Sequence, residues 1–434
     1  MTSTGIGLAG IVALFALIVL HIPLAFAMIV VGIVAFALQT DSSSALTFLA
    51  TEPSQVLGSM DLAAVPLFLM MGAFVNVSGF SRDLYTAAAA LLGHRPGGLS
   101  YATIGGSAAF GAICGSSPAT VATFTQVALP EMLKRNYAPG FSGATIAAGG
   151  ALKALIPPSL SMILYCVVVR TYIFDVFIAA VIPALITIAA NLAVIAMIAR
   201  LRPLVAPVAA RVPRKEQLLA VRRAGPALLL IAIIFAGLYS GVFTVNEAAS
   251  VAAVVSFVFA LLRRTVTPGN LVAGLRDTAV TAGMIYFVLI GSSIFTYFIS
   301  LAKIPEQLIA LLGHVSMPPT GIIVLMLGAY LVLGAVFDEL AAMIVTLPFA
   351  LPIIVHLGYD PVWWAIINVV IVELGLVIPP IGLVILILNA MRPDIPLQTL
   401  YRSIVPFVAA DLAVLALLTA CPSLALWLPA LLRG

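Results

Sequence analysis

Apolar runs with few or no charges, each long enough to cross or nearly cross a bilayer, recur from one end of this chain to the other, and two of the longest carry a proline pair at their middle. In ~30 Å of hydrocarbon every backbone polar group needs an internal partner, so such runs fold as membrane helices. Of the 434 residues 63% are apolar and only 8% charged, against about 25% charged in a typical soluble domain. Too few charges remain to wet a soluble globule. A soluble enzyme, a DNA-binding module and a disordered scaffold are thereby excluded. The net charge of +4 is no nucleic-acid signal, because the basic residues sit in loops between apolar runs.

The runs cover residues 5–20, 23–38, 62–77, 99–130, 139–169, 173–199, 226–243, 248–262, 280–299, 321–352, 362–388 and 405–431. Two of them, 99–130 and 321–352, are interrupted at Gly115-Ser116-Ser117-Pro118 and at Phe337-Asp338-Glu339. Read as re-entrant hairpins, they leave ten full crossings with both termini on one side. The basic residues agree. Seven of the twenty lie between Arg200 and Arg223, and nine more share that side: Arg82, Arg95, Lys134, Arg135, Arg263, Arg264, Arg276, Arg392 and Arg402. Only Arg170, Lys303 and Arg433 fall opposite, so the 200–223 loop is cytoplasmic. The opening Met-Thr-Ser-Thr-Gly lacks the basic region of a cleavable signal, and the first run reads as a retained span. Cys114, Cys166 and Cys421 lie in apolar surroundings without a CxxC pair and read as small buried hydrophobes.

The chain repeats itself at an offset of 222 residues. Leu129-Pro130, Tyr137, Pro139 and Pro157-Pro158 recur as Leu351-Pro352, Tyr359, Pro361 and Pro379-Pro380. At an offset of 220, Leu91-Leu92-Gly93-His94 recurs as Leu311-Leu312-Gly313-His314. The expected organisation is a first half over 1–199, with hairpin 99–130 and broken helix 139–169; a basic cytoplasmic linker over 200–225; and a second half over 226–434, with hairpin 321–352 and broken helix 362–388. Under the topology above the hairpins enter from opposite sides, so the repeats are inverted. The expected fold is therefore an all-α polytopic membrane protein, the layout of secondary transporters with midplane binding sites.

Each proline pair removes two backbone donors, which frees the carbonyls of Lys153 and Ala154 in one half and of Gly375 and Leu376 in the other. Freed carbonyls in a bilayer can bind a cation. The tip Gly115-Ser116-Ser117-Pro118-Ala119-Thr120 can turn tightly and offer hydroxyl oxygens, and its second arm aims a helix N-terminus at an anion. Asp338 and Glu339 stand at the repeat positions of Ser116 and Ser117, and Glu373 precedes the second proline pair by six residues. Carboxylates at such depth are functional candidates. The ion-binding candidates are Gly115, Ser116, Ser117, Thr120, Lys153, Ala154, Pro157, Asp338, Gly375, Leu376 and Pro379. Those for substrate are Ser116, Ser117, Lys153, Asp338, Glu339 and Glu373. Lys153, the one basic residue placed inside a span, has three readings: an internal cation replacing a bound ion, a partner for a substrate carboxylate, or a lysine snorkelling to an interface. Each of these sites also has a bland reading as a kink, a polar loop or a packing hydrogen bond. There is no HExxH, no GxSxG and no nucleotide-binding motif. A membrane enzyme and ATP hydrolysis by this chain are not expected.

The segments Ala112-Ile113-Cys114-Gly115-Ser116-Ser117-Pro118-Ala119-Thr120, Leu129-Pro130-Glu131-Met132 and Leu155-Ile156-Pro157-Pro158-Ser159 resemble the large membrane subunit of tripartite ATP-independent periplasmic (TRAP) transporters. So do Gly358-Tyr359-Asp360-Pro361-Val362-Trp363, Glu373-Leu374-Gly375 and Pro379-Pro380. The resemblance covers nearly the whole chain. It implies an elevator-type carrier of the bacterial inner membrane, with a separate small membrane subunit and a periplasmic substrate-binding protein. It also implies import of organic anions such as C4-dicarboxylates or sialic acid, with Na+ as coupling ion and no other cofactor. The implied sodium sites lie around Ser116, Ser117 and Pro157, and around Asp338, Gly375 and Pro379. The sequence departs from the family pattern at Lys153, where a small residue is usual, at Ile371 and Ile378, where asparagine and threonine are common, and at Cys114, which replaces a serine. A binding-protein-independent carboxylate symporter of related fold is the alternative.

Overall fold

A computed structural model describes residues 3–314 and 317–433, with the side chains of Gly313, His314 and Arg433 left aside. Met1 and Thr2 of the opening pentapeptide lie outside the described residues. Among the described residues the chain is all-helical. Helices α1 (Ser3–Val19), α2 (Leu24–Gln39), α3 (Ser42–Leu57), α4 (Ala64–Val77) and α5 (Phe80–Leu92) precede a first hairpin, α6 (Gly98–Cys114) and α7 (Ser117–Lys134). A first broken helix follows, α8 (Pro139–Ala151) and α9 (Leu160–Val169), then α10 (Ile173–Leu201). Next come α11 (Arg214–Tyr239), α12 (Val245–Leu262), α13 (Pro268–Leu301) and α14 (Ile304–His314). The second hairpin is α15 (Pro319–Val336) and α16 (Glu339–His356), and the second broken helix is α17 (Pro361–Gly375) and α18 (Leu383–Met391). Helices α19 (Leu397–Ala420) and α20 (Ser423–Arg433) end the described chain.

Nine helical stretches among these residues are long and apolar enough to cross a membrane, the two arms of the second hairpin included. Burial divides them. In the first broken helix, Pro139–Val169, 78% of the apolar window is buried, against 28% for Arg214–Tyr239. Every residue of α17 from Val362 to Gly375 is buried. Protein surrounds the first broken helix and α17, whereas α18 buries only Val384, Ile385 and Leu388, and α10–α13 turn much of their surface outward, as a lipid-facing helix must. The hairpins close on this centre: α6 and α7 pack on α8, and α15 and α16 on α17.

Several boundaries differ from the sequence expectation. The basic linker expected over 200–225 is non-α only between α10 and α11, because Arg214 to Gly225 already belong to α11. Apolarity marks where a helix enters lipid, not where it starts. For the same reason α13 begins at Pro268 rather than 280. The run 405–431 is two helices, broken at Cys421-Pro422, and Cys421 is exposed there rather than buried. Helices α3, α5 and α14 are too polar on one face to register as apolar runs.

Candidate functional site

Both hairpin tips are built by helix caps. Helix α6 stops on Gly115, whose left-handed φ of 68° suits glycine. Ser116 then caps α7, its Oγ accepting from the Ala119 N–H at 3.3 Å. In the second tip Asp338 caps α16, with one carboxylate oxygen accepting from the N–H groups of Leu340 and Ala341, each at 3.0 Å. The residue after each cap, Ser117 or Glu339, is thereby set at the first position of its helix.

The proline pairs break the other two helices, and both Pro-Pro peptide bonds are cis. In the first, α8 gives way to one 3-10 turn over Leu152–Leu155 before Pro157. That turn lets Ile156 N–H donate to the Lys153 carbonyl at 3.1 Å. In the second, Val384 N–H donates to the Leu376 carbonyl at 3.1 Å. Two of the four carbonyls expected to be free are therefore occupied. Those of Ala154 and Gly375 receive no hydrogen bond among the described residues.

Lys153 lies at the centre. Its side chain is fully buried, which removes the snorkelling reading. The ammonium Nζ donates to the Gly115 carbonyl at 3.2 Å and to Glu339 Oε1 at 3.1 Å, and it stands 3.5 Å from Glu373 Oε1. Ser117 Oγ lies 3.0 Å from both oxygens of Glu373, and Ser161 Oγ donates to Glu339 Oε1 at 3.3 Å. Glu339 Oε2 is buried and accepts no hydrogen bond among the described residues. One lysine thus faces two glutamates, and its buried nitrogen is held by opposite charge and a backbone carbonyl.

A glycine makes room for the lysine. A Cβ on Gly111 of α6 would stand 2.4 Å from the Lys153 Cβ. At the matched place in the second repeat, a Cβ on Gly375 would stand 2.4 Å from the Gly334 carbonyl carbon of α15. Lys153 occupies the repeat position of Gly375, 222 residues earlier. In each repeat the first hairpin arm therefore touches the break of its helix nearly backbone to backbone.

Of the candidates, Gly115, Ser117, Lys153, Glu339 and Glu373 converge. Ser116 and Asp338 act as caps, and the Thr120 hydroxyl is turned onto the Ser116 carbonyl at 2.8 Å. Pro157 and Ala154 are buried beside the cluster in sequence, whereas Pro379 is exposed. Gly375 packs on Gly334 and Leu376 is held by Val384. Sequence reasoning missed Gly111 and Ser161, since one small residue on an apolar helix gives no signal. It also missed the part-buried pair of Asn191 Nδ2 donating to Asp411 Oδ1 at 2.8 Å, and the fully buried Asn368 of α17.

The model of the tripartite ATP-independent periplasmic transporter, DctM component, matches residues 11–424. The chain belongs to this TRAP family. The C4-dicarboxylate TRAP transporter large permease protein DctM of Pseudomonas aeruginosa is 33% identical over 369 residues, which cover 85% of this chain and 86% of that one. The sialic acid TRAP transporter large permease protein SiaM of Vibrio cholerae is 29% identical over 416 residues, covering 95% and 96%. The crystal structure of the YdaH transporter of Alcanivorax borkumensis, described as having an unusual topology, shares the fold: TM-score 0.58 at 18% identity, over 88% of this chain and 89% of that one. The TRAP permease is thus a multi-pass transporter subunit of the bacterial inner membrane, and its relatives are permeases rather than enzymes. The family is one of secondary transport of organic acids, and it implies a small membrane subunit and a periplasmic binding protein as partners.

Proposed function

We propose that this chain is the translocating subunit of an importer for a carboxylate-bearing organic anion, received from a periplasmic binding protein and driven by an ion gradient. The observation that carries this reading is the meeting of both hairpin tips, 115–117 and 338–339, at one buried charge cluster. In this reading the hairpins and broken helices of the halves 1–199 and 226–434 form a transport domain. It moves, elevator-fashion, against a scaffold that includes α11–α13, with a small membrane subunit as partner.

The coupling ion is sodium, with one difference built into the sequence. The Gly115 carbonyl and the carboxylates of Glu339 and Glu373 are oxygens of the kind a hard cation takes, and the Lys153 ammonium stands among them. The lysine thus replaces one bound sodium in the first repeat. The free Gly375 carbonyl leaves the second repeat as the place for another.

Uptake of labelled organic acids tests this, using proteoliposomes that hold the chain and its small subunit, with or without binding protein, under a sodium or an equal potassium gradient. Uptake that requires both binding protein and sodium supports the tripartite reading. Uptake without binding protein would favour a binding-protein-independent carboxylate symporter.

A further inference from the structure

A cavity of about 1080 Å³ lies apart from the charge cluster, between the end of α9, the start of α10 and the elements α3, α12 and α13. Helix α10 fixes its side of the membrane. Ile173 and Phe174, at the start of α10, line the cavity, whereas Arg200 at the far end opens the basic linker. A 29-residue helix spans about 43 Å, the width of a bilayer with its headgroups. Since the basic loops face the cytoplasm, the cavity faces outward.

Its charges are few and uneven. Among the described residues one cation lines it, Arg170, together with two carboxylates, Glu52 and Asp61. Arg170 ends α9 with a left-handed φ of 57° and is exposed. Its guanidinium forms no ion pair among the described residues. Glu52 is 8% exposed and accepts from the Ser293 hydroxyl. Ser292 is 2% exposed, and among the described residues neither its hydroxyl nor the buried Asn246 Oδ1 has a hydrogen-bond partner. Buried polar atoms left unpaired at a cavity wall are what a polar ligand would satisfy.

Resting on the carrier reading above, we propose that this outer cavity receives the transported solute, and that the solute carries one carboxylate together with ammonium, amide or hydroxyl donors. The Arg170 guanidinium holds the carboxylate, by the fork geometry that pairs these groups. Glu52, Asp61 and Asn246 Oδ1 accept from the donors, and Ser292 is the adaptable hydroxyl. A dicarboxylate fits worse: its second carboxylate finds no second cation and meets two like charges.

The test is binding to the purified complex of this chain and its small subunit, without binding protein, read as a thermal shift. The probes are N-acetylneuraminic acid, ectoine and succinate. The parent should bind at least one of the first two at a concentration about tenfold below that for succinate, the worth of roughly one charge-assisted hydrogen bond. Arg170→Gln, at an exposed position, should keep the unliganded melting point and weaken all probes about tenfold or more. Asp61→Asn should narrow the margin over succinate. Succinate binding equally well or better, no shift with any probe, or an Arg170→Gln variant that binds like the parent would each overturn the proposal. Failure of the carrier reading would show separately, as probe binding without uptake into proteoliposomes under any gradient.

Discussion

The two repeats build the same backbone device and furnish it with opposite chemistry. In each, a capped hairpin tip meets a helix broken by a proline pair, with a glycine of the first arm pressed against the break. The first repeat places Ser117 after its cap and Lys153 at its break; the second places Glu339 and Gly375 at the matched positions and adds Glu373. The hydroxyl and the ammonium come from one side and the carboxylates from the other, and they meet. The difference teaches that the buried charge cluster of this permease is shared between halves. Neither repeat could bury its own charges alone, since an ammonium or a carboxylate without a counter-charge is strongly disfavoured in a low-dielectric interior.

The comparison breaks most severely at Lys153. Lys153→Met leaves two buried carboxylates facing each other and should destabilise the protein by about 3–5 kcal/mol, read from thermal denaturation in detergent. Adding Glu339→Gln and Glu373→Gln to that variant should restore most of the loss. If the triple variant is no better than the single one, the charges are not what matters.

The glycine contacts sharpen it next. Gly111→Ala should cost about 1–3 kcal/mol, because the new Cβ meets a side-chain carbon 2.4 Å away. Gly375→Ala should cost more, since its obstacle at 2.4 Å is the backbone of Gly334, which cannot turn aside. Gly111→Ala should cost less when combined with Lys153→Gly, which leaves only the backbone Cα at 3.2 Å, a double-mutant cycle that isolates the side-chain contact.

The caps should behave alike in both repeats. Ser116→Ala and Asp338→Ala each remove a side-chain acceptor from a helix N-terminus and should cost about 1 kcal/mol. An Asp338→Ala effect several times larger would place that carboxylate in ion binding as well as capping.

The smallest effect lies outside the site. Arg392 makes paired hydrogen bonds to Asp394 at 2.7 Å and holds that carboxyl below its ordinary range. A lowered carboxyl contributes stability only above its unfolded titration range, and that contribution fades as pH falls through the folded value. The pair is open to solvent, so Asp394→Asn should barely move the melting point at neutral pH and not at all in acid.

Much of this arrangement is legible in the sequence, for identifiable reasons. The proline pairs, the tip Gly115-Ser116-Ser117 and the carboxylates at 338–339 are local departures from apolar surroundings, and each falls where the helices stop. What the sequence does not disclose is which of them meet. Lys153 and Glu339 are 186 residues apart, and their contact depends on how two hairpins close over two broken helices. Gly111 was hidden because its importance lies in an absent Cβ. Helices α3, α5 and α14 were hidden by their polar faces, and the first turns of α11 by their arginines.

The most direct test of the central claim, that the Lys153 ammonium stands in for one sodium, is the sodium dependence of uptake in the parent and in Lys153→Gly, measured side by side in proteoliposomes with binding protein present. Removing the ammonium should open a place among the Gly115 carbonyl, Glu339 and Glu373 that a sodium ion fills. The variant should then show a steeper sodium dependence, higher by about one ion in its Hill slope. An unchanged slope in an active variant would contradict the account.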